Sequence, residues 1–191
     1  MSRPRTALEP MNLSAIADEV RSCARCTLYQ ERHCAVPGEG SARARIMLIG
    51  EAPGAQEDLQ GRPFVGRSGK ILDHALQIAG LKRQDLFITS VVKCRPPHNR
   101  LPRKIEVETC IAAHLQRQIS VIQPFIICIL GGVSAKALLG EASLSRIRGR
   151  LIQSDRLYFP TYHPAAAGRN PAWRQIFEAD LVQLRSLIDN A

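Results

Sequence analysis

Three short apolar runs punctuate the hydrophobic pattern of the chain. They are Arg45–Ile49, Leu86–Val92 and Phe125–Leu130. Phe125–Leu130 is almost wholly apolar, which is the pattern of a central parallel strand buried on both faces. Between them the apolar positions recur at helical spacing. Leu13, Ile16, Ala17 and Val20 predict a helix from about Ser14 to Arg21, and Ile71, Leu72, Ala75, Leu76 and Ala79 predict one from about Lys70 to Ala79, stopped by Gly80. Further helices are expected at Lys104–Ile122, Ser134–Leu139 and Pro171–Ile188, and two short strands at Arg148–Gln153 and Leu157–Thr161. Residues 27–44 read as loop, with Gly38 and Gly40 as breakers. The prolines of Lys93-Cys94-Arg95-Pro96-Pro97-His98-Asn99-Arg100 rule out a helix there. Strands alternating with helices imply an α/β protein whose parallel sheet is covered on both faces. There is no internal repeat and no sign of a second domain, so residues 1–191 are read as one domain with a loose basic tail at 1–12.

Composition narrows the class. With 191 residues, 45% of them hydrophobic, the chain is long enough to bury a full core. No apolar run approaches the ~20 residues needed to span a bilayer. The start, MSRPRTALEPMN, has no apolar secretion segment, so the cytoplasm is the expected compartment and a membrane is not an expected partner. The net charge is +9, and Arg supplies 21 of the 26 basic residues. A basic excess carried by guanidinium groups favours a polyanionic partner, because Arg grips phosphate in bidentate fashion.

The six cysteines are Cys23, Cys26, Cys34, Cys94, Cys110 and Cys128. In a cytosolic protein they are better read as ligands than as disulfides. Cys23 and Cys26 form C-x2-C, so one turn supplies two ligands, and Cys94 and Cys110 lie 16 positions apart. Four thiolates from two segments suit either a zinc ion or a [4Fe–4S] cluster. Zinc ribbons more often repeat the short spacing, which tilts the reading towards the cluster. Its expected job is structural, tying the N-terminal segment to a proline-rich loop with too few apolar residues to order itself. Cys128 sits within an apolar strand and reads as a small buried hydrophobe, and Cys34 as a loop thiol.

Two loops carry candidate chemistry. The first apolar strand breaks at Gly50 and delivers Glu51, then Glu57-Asp58, where open α/β sheets place their sites. A Walker A motif fails, because Phe64 stands where its first Gly belongs and Ile71 replaces Ser/Thr. The second loop, Thr161-Tyr-His-Pro164 followed by Ala165-Ala166-Ala167-Gly168-Arg169, offers His163 in a rigid run of small residues with an Arg just beyond. Arg146-Ile-Arg148-Gly-Arg150 reads as a solvated basic face.

Taken together, GEAPGAQED (50–58), GRPFVGRSG (61–69), VVKCRPPHNRLP (91–102), YHPAAAGR (162–169) and the four cysteines resemble the iron–sulfur, family 4 uracil-DNA glycosylases. The match spans residues 23–169 in the family order. The resemblance implies a three-layer α/β/α sandwich on a central four-stranded parallel sheet, a [4Fe–4S] cluster held by Cys23, Cys26, Cys94 and Cys110, and hydrolysis of the N-glycosidic bond of deoxyuridine in single- or double-stranded DNA, leaving an abasic site. By the same carry-over, Glu51 positions or activates water and stabilises the cationic sugar, while His163 donates to uracil O2. Gly50, Ala52, Glu57, Phe64 and Ser90 surround the base, with Phe64 stacking on it. Ser68, Lys70, Arg100, Ser134, Ala167 and Arg169 meet the DNA, Ser134 at a helix start suited to phosphate. A monomer is expected from size and function, and a sliding clamp is a conceivable partner.

One departure stands out. Family members usually carry Asn where this chain has Ser90, and the amide reads uracil's N3–H and O4. A hydroxyl makes one of those contacts but not both at the same reach, so a pocket tolerant of other deaminated bases, xanthine or hypoxanthine, is expected. The loop Asn99–Ile105 has no His of the kind that traps product covalently in related enzymes, so turnover is expected. No Lys lies in the proposed loops as a Schiff-base nucleophile except Lys93, beside a cluster ligand. Two other readings are a DNA-binding module that keeps the scaffold but has lost activity through Ser90, and a metal-binding electron carrier.

Overall fold

The computed structural model describes residues 12–140 and 143–189. The expected tail lies outside them apart from Asn12, whose side chain accepts from the Ala15 N–H at 2.8 Å and caps helix α1 (Leu13–Ser22). After a 3₁₀ turn at Thr27–Gln30 come the two-residue strand β1 (Glu39–Gly40) and the first long strand, β2 (Ile46–Gly50). Helix α2 (Ala55–Gln60) follows at once, where the sequence reading had only an acidic loop. Helix α3 (Arg67–Ile78) leads to β3 (Phe87–Ser90). The long helix expected at Lys104–Ile122 is present as α4 (Lys104–Cys110) and α5 (Gln116–Ile122), joined by a wide π-helical turn at Ile111–Leu115. Next come β4 (Ile126–Leu130), α6 (Gly132–Leu139), α7 (Leu144–Ile147), β5 (Ile152–Gln153), β6 (Leu157–Thr161), the one-turn α8 (Pro164–Ala167) and α9 (Pro171–Asp189).

The strands form one sheet in the order β1-β3-β2-β4-β6-β5. Its four central strands are parallel, as expected. The two-residue edges β1 and β5 are antiparallel additions, which makes the sheet mixed and six-stranded. The central strands are buried on both faces because their side chains alternate between two cores. Met47, Ile49, Ile127 and Ile129 pack with Ile16 and Val20 of α1, Leu115 of the wide turn and Ile119 of α5. Ile46, Leu48, Ile126 and Leu130 pack with Leu72 and Leu76 of α3 and Phe177 and Leu181 of α9. The result is a three-layer α/β/α sandwich.

Register places the carboxyl ends of the central strands together, with Gly50 opposite Ser90 and Leu130 opposite Thr161. Each candidate loop therefore leaves the sheet at the same edge. β2 connects outward to β3 on one side, and the chain then crosses to β4 on the other. This reversal of strand order is where open α/β sheets leave a crevice.

Asp180 fastens α9 to this edge. It is buried, and its carboxylate accepts from Arg148 Nη1 at 2.7 and 2.9 Å and from Thr161 Oγ1 at 2.6 Å. Arg148 is thus an internal tie and not part of the solvated basic face that the sequence suggested. Replacing Asp180 with Ala leaves a half-buried guanidinium and a buried hydroxyl unpaired. Asp180→Ala is expected to lower the unfolding free energy by about 3 kcal/mol in a denaturant titration.

Candidate active site

A cleft of about 540 Å³ opens at the carboxyl edge of the sheet and is lined by Glu51, Phe64, Ser90 and His163 together. The size suits one small planar ligand and part of its attachment. Glu51 and Ser90 come from the ends of β2 and β3. His163 follows β6, and Phe64 comes from the loop between α2 and α3.

Phe64 is held in a costly conformation, with φ at +50°. The loop beneath it is fixed by two ionic side chains. Glu57 Oε1 accepts from the N–H groups of Val65 at 2.9 Å and Gly66 at 2.8 Å, and its Oε2 accepts from the Gly54 N–H at 3.1 Å. Arg83 donates to the carbonyls of Pro63 and, at 3.3 Å, Phe64, and is itself held by Asp73 at 2.8 Å and Glu39 at 2.9 Å. The ring lies over Gly50, where an added Cβ would come within 2.6 Å of the Phe64 ring tip. Gly50 is therefore required as a floor without a side chain. The Phe64 and His163 rings are 5.8 Å apart at 36°.

His163 caps α8, its Nδ1 accepting from the Ala165 N–H at 3.1 Å. With Nδ1 occupied as an acceptor, the neutral ring carries its proton on Nε2. Burial and then nearby Arg169 push its pKa down to about 4, so the ring is a neutral donor at physiological pH. Gly131, just past β4, lets it approach, since a Cβ there would meet the His163 Cβ at 2.9 Å. Glu51 has no side-chain hydrogen bond among the described residues, and burial raises its pKa above the ordinary carboxylate value. The carboxylate and the imidazole thus differ in kind, one an unpartnered anion and the other a fixed neutral donor.

Of the other expected residues, Ala52, Glu57, Ser68, Arg100 and Arg169 also line the cleft. Both oxygens of Glu57 are engaged by backbone, so it shapes the loop. Arg100 is held in a bidentate pair with buried Glu106 at 2.7 and 2.9 Å. Lys70 is exposed in the first turn of α3, away from the lining. Two expectations need correcting. Ser134 is 0% exposed with its hydroxyl donated to the Leu130 carbonyl at 3.2 Å, and Ala167 is 1% exposed within the α3–α9 core. Neither side chain reaches a surface that DNA can touch. Arg83 was not anticipated, because nothing in its local sequence marks it as the clamp on a distant loop.

A second, small apolar cavity gathers Cys23, Cys26, Cys94 and Cys110 from three segments, together with Arg25, Arg32, Lys93 and His114. Cys34 is exposed and Cys128 buried in β4, both apart from it. Burial pushes the thiols of Cys26, Cys94 and Cys110 up, the last to about 11. Arg32 donates to Cys94 Sγ at 3.0 Å and to the Cys23 carbonyl at 2.8 Å. Lys93 is 1% exposed, its ammonium shared between Thr89 Oγ1 and, at 2.8 Å, the Ser90 carbonyl. Soft thiol donors surrounded by cations suit a metal-containing group that carries negative charge once the thiols ionise. No three His, Cys, Asp or Glu side chains among the described residues form a single-ion site. Among the described residues no helix is long and apolar enough to cross a membrane.

A model of the uracil DNA glycosylase superfamily matches residues 37–183. A type-4 uracil-DNA glycosylase of Sulfurisphaera tokodaii is 47% identical over 187 residues, covering 92% of this chain and 84% of that protein. One from Saccharolobus solfataricus is 45% identical over 190 residues, covering 94% and 88%. A type-5 uracil-DNA glycosylase of Pyrobaculum aerophilum is 31% identical over 154 residues, covering 71% and 67%.

The Glu57 carboxylate makes a specific demand of chemistry, since an amide in its place would turn one acceptor into a donor facing a backbone N–H. Glu57→Gln is expected to cost about 1–3 kcal/mol in denaturant unfolding, although it preserves size.

Proposed function

The chain belongs to the uracil-DNA glycosylase superfamily, and from that membership we propose that it is a monofunctional DNA-repair hydrolase that cuts the bond between uracil and deoxyribose, with Glu51 and His163 as its catalytic pair. The observation that carries this reading is that an unpartnered carboxylate and a neutral imidazole donor line one cleft, with an aromatic ring 5.8 Å from the imidazole. Breaking the C1′–N1 bond leaves positive charge on the sugar and negative charge on the uracil oxygen. The Glu51 carboxylate stabilises the first and orients the attacking water, while His163 Nε2–H donates to O2 and stabilises the second. Because His163 is neutral, it lends a hydrogen bond without placing a full positive charge beside the sugar cation. Phe64 stacks on the extruded base, whose removal from the helix costs a few kcal/mol. Arg169, exposed at the rim, attracts phosphate and offsets part of that cost, whereas the Arg100 guanidinium is already taken by Glu106.

Cys23, Cys26, Cys94 and Cys110 hold a [4Fe–4S] group in this reading, and when bound it supplies a cross-link between the N-terminal segment, the 94–103 loop and α4. The DNA-binding module without activity is disfavoured, because both candidate catalytic groups are present and converge. Ser90 carries the base range. Its short hydroxyl lines the cleft and can make one, not both, of the contacts an Asn amide would make to the base, which supports acceptance of xanthine or hypoxanthine besides uracil.

Release of free base from single-stranded oligonucleotides bearing uracil, xanthine or hypoxanthine tests this directly. Glu51→Gln and His163→Gln are each expected to lower kcat about 10²–10³-fold. Retention of full rate by either variant overturns the assignment. The charged, active form of Glu51 exists above its raised pKa, so kcat/KM should fall as pH drops through a value above the ordinary carboxylate range. His163 changes charge only near pH 4 and adds no ionisation between 5 and 8. The acid limb should vanish from the residual activity of Glu51→Gln. Ser90→Asn is expected to narrow the range to uracil, and a wild type that already releases only uracil refutes the relaxed pocket.

A further inference from the structure

His114 is the most anomalous buried side chain outside the cleft. It is 1% exposed, and both of its ring nitrogens lack a hydrogen-bond partner. An unpaired buried polar group costs about 1–3 kcal/mol, so two on one ring in the same state call for an absent partner. The ring lines the cavity that gathers Cys23, Cys26, Cys94 and Cys110. It lies in the wide turn Ile111–Leu115, immediately after Cys110. A π-helical turn fits one more residue into a helix than the regular spiral does, and such turns recur at functional sites. A plain core would be served here by a Leu in an unbroken helix.

Resting on the [4Fe–4S] reading given above, we propose that His114 is a hydrogen-bond donor to a sulfur atom of the group held by the four cysteines. Four thiolates already supply one ligand to each of the four irons of such a cluster, so no iron is open to a fifth donor. What remains accessible to an imidazole is sulfur, which accepts N–H groups, and an imidazole carries at least one N–H in either of its ordinary protonation states. The arrangement has a counterpart in Arg32, which already donates to Cys94 Sγ at 3.0 Å. Hydrogen bonds to cluster sulfurs raise the reduction potential and hold the group in place. His114 is thus a positioning residue for the cofactor and does not line the cleft.

The test compares wild type, His114→Leu and His114→Gln, the last keeping an N–H at similar reach. Iron and acid-labile sulfide per chain are measured first, then the one-electron reduction potential and the rate at which visible absorbance bleaches under an iron chelator. Four irons are expected in all three. His114→Leu should bleach about ten-fold faster and show a more negative potential, with His114→Gln close to wild type. Three results overturn the proposal: His114→Leu matching wild type in both potential and bleaching, His114→Gln bleaching as fast as His114→Leu, or His114→Leu holding fewer than four irons, which would make the imidazole a ligand. A wild type that carries no iron refutes the cofactor reading itself, a failure distinct from the other three. Circular dichroism of each variant separates loss of the cluster from loss of the fold.

Discussion

The cleft depends on one carboxylate whose two oxygens are both engaged by the backbone. Glu57 reaches from the first turn of α2 to three backbone N–H groups, one before the helix and two in the loop after it. An anion accepting three N–H bonds is well satisfied and strongly directional. It fixes the bend that carries Phe64 over Gly50, and Arg83 locks the same bend from the carbonyl side. The strained φ of Phe64 is tolerated because donors and acceptors of the flanking peptides are both taken up by ionic side chains. The pocket floor is therefore rigid before any base arrives, and preorganisation of that kind lets a site act on charge that develops during reaction.

Buried carboxylates add to the apolar packing of α1 in attaching the N-terminal part of the chain to this frame. Asp58, next to Glu57, accepts from the N–H groups of His33 at 3.0 Å and Cys34 at 3.3 Å. Glu106 takes Arg100 and the Arg103 N–H, and lies 3.4 Å from Thr27 Oγ1 just after Cys26. The arginines around Glu106 hold its carboxyl below the usual range. The segment bearing the C-x2-C turn, the loop walling the cleft and the helix bearing Cys110 thus share one anion.

Much of this was legible in sequence, and the misses have physical causes. Nearly unbroken apolar runs identified β2 and β4, because a strand covered on both faces has few polar positions to confuse the count, whereas β3 carries Thr89 and Ser90 buried in its second half. Glu51 drew notice because sites lie at the ends of such strands, His163 because it sits in a rigid loop of small residues, and Ser90 only through the family resemblance; the structure sets all three in the lining of one cleft. Helix α2 was missed because six residues between Gly54 and Gly61 are too few to show a period, and its buried Glu57 and Asp58 look like solvent-facing charges until their backbone partners are seen. Ser134 was misplaced because a serine near a helix start reads as a phosphate binder, whereas its hydroxyl turns inward to Leu130. Arg148 and Arg83 were invisible as ties because their partners lie far along the chain. The wide turn at Ile111–Leu115 leaves no mark in a periodicity that spans both halves of the helix.

The brevity of β1 and β5 has an effect of its own. Each border of the sheet ends in a strand of only two residues, and Gly40 in β1 has φ at +126°, a shape that does not continue as regular extended chain. A foreign strand seeking to add itself finds almost no row of unpaired amides to grasp. The long, sticky central strands are shielded at both flanks, so crowding beside other chains gives this sheet little opportunity to grow sideways into an aggregate.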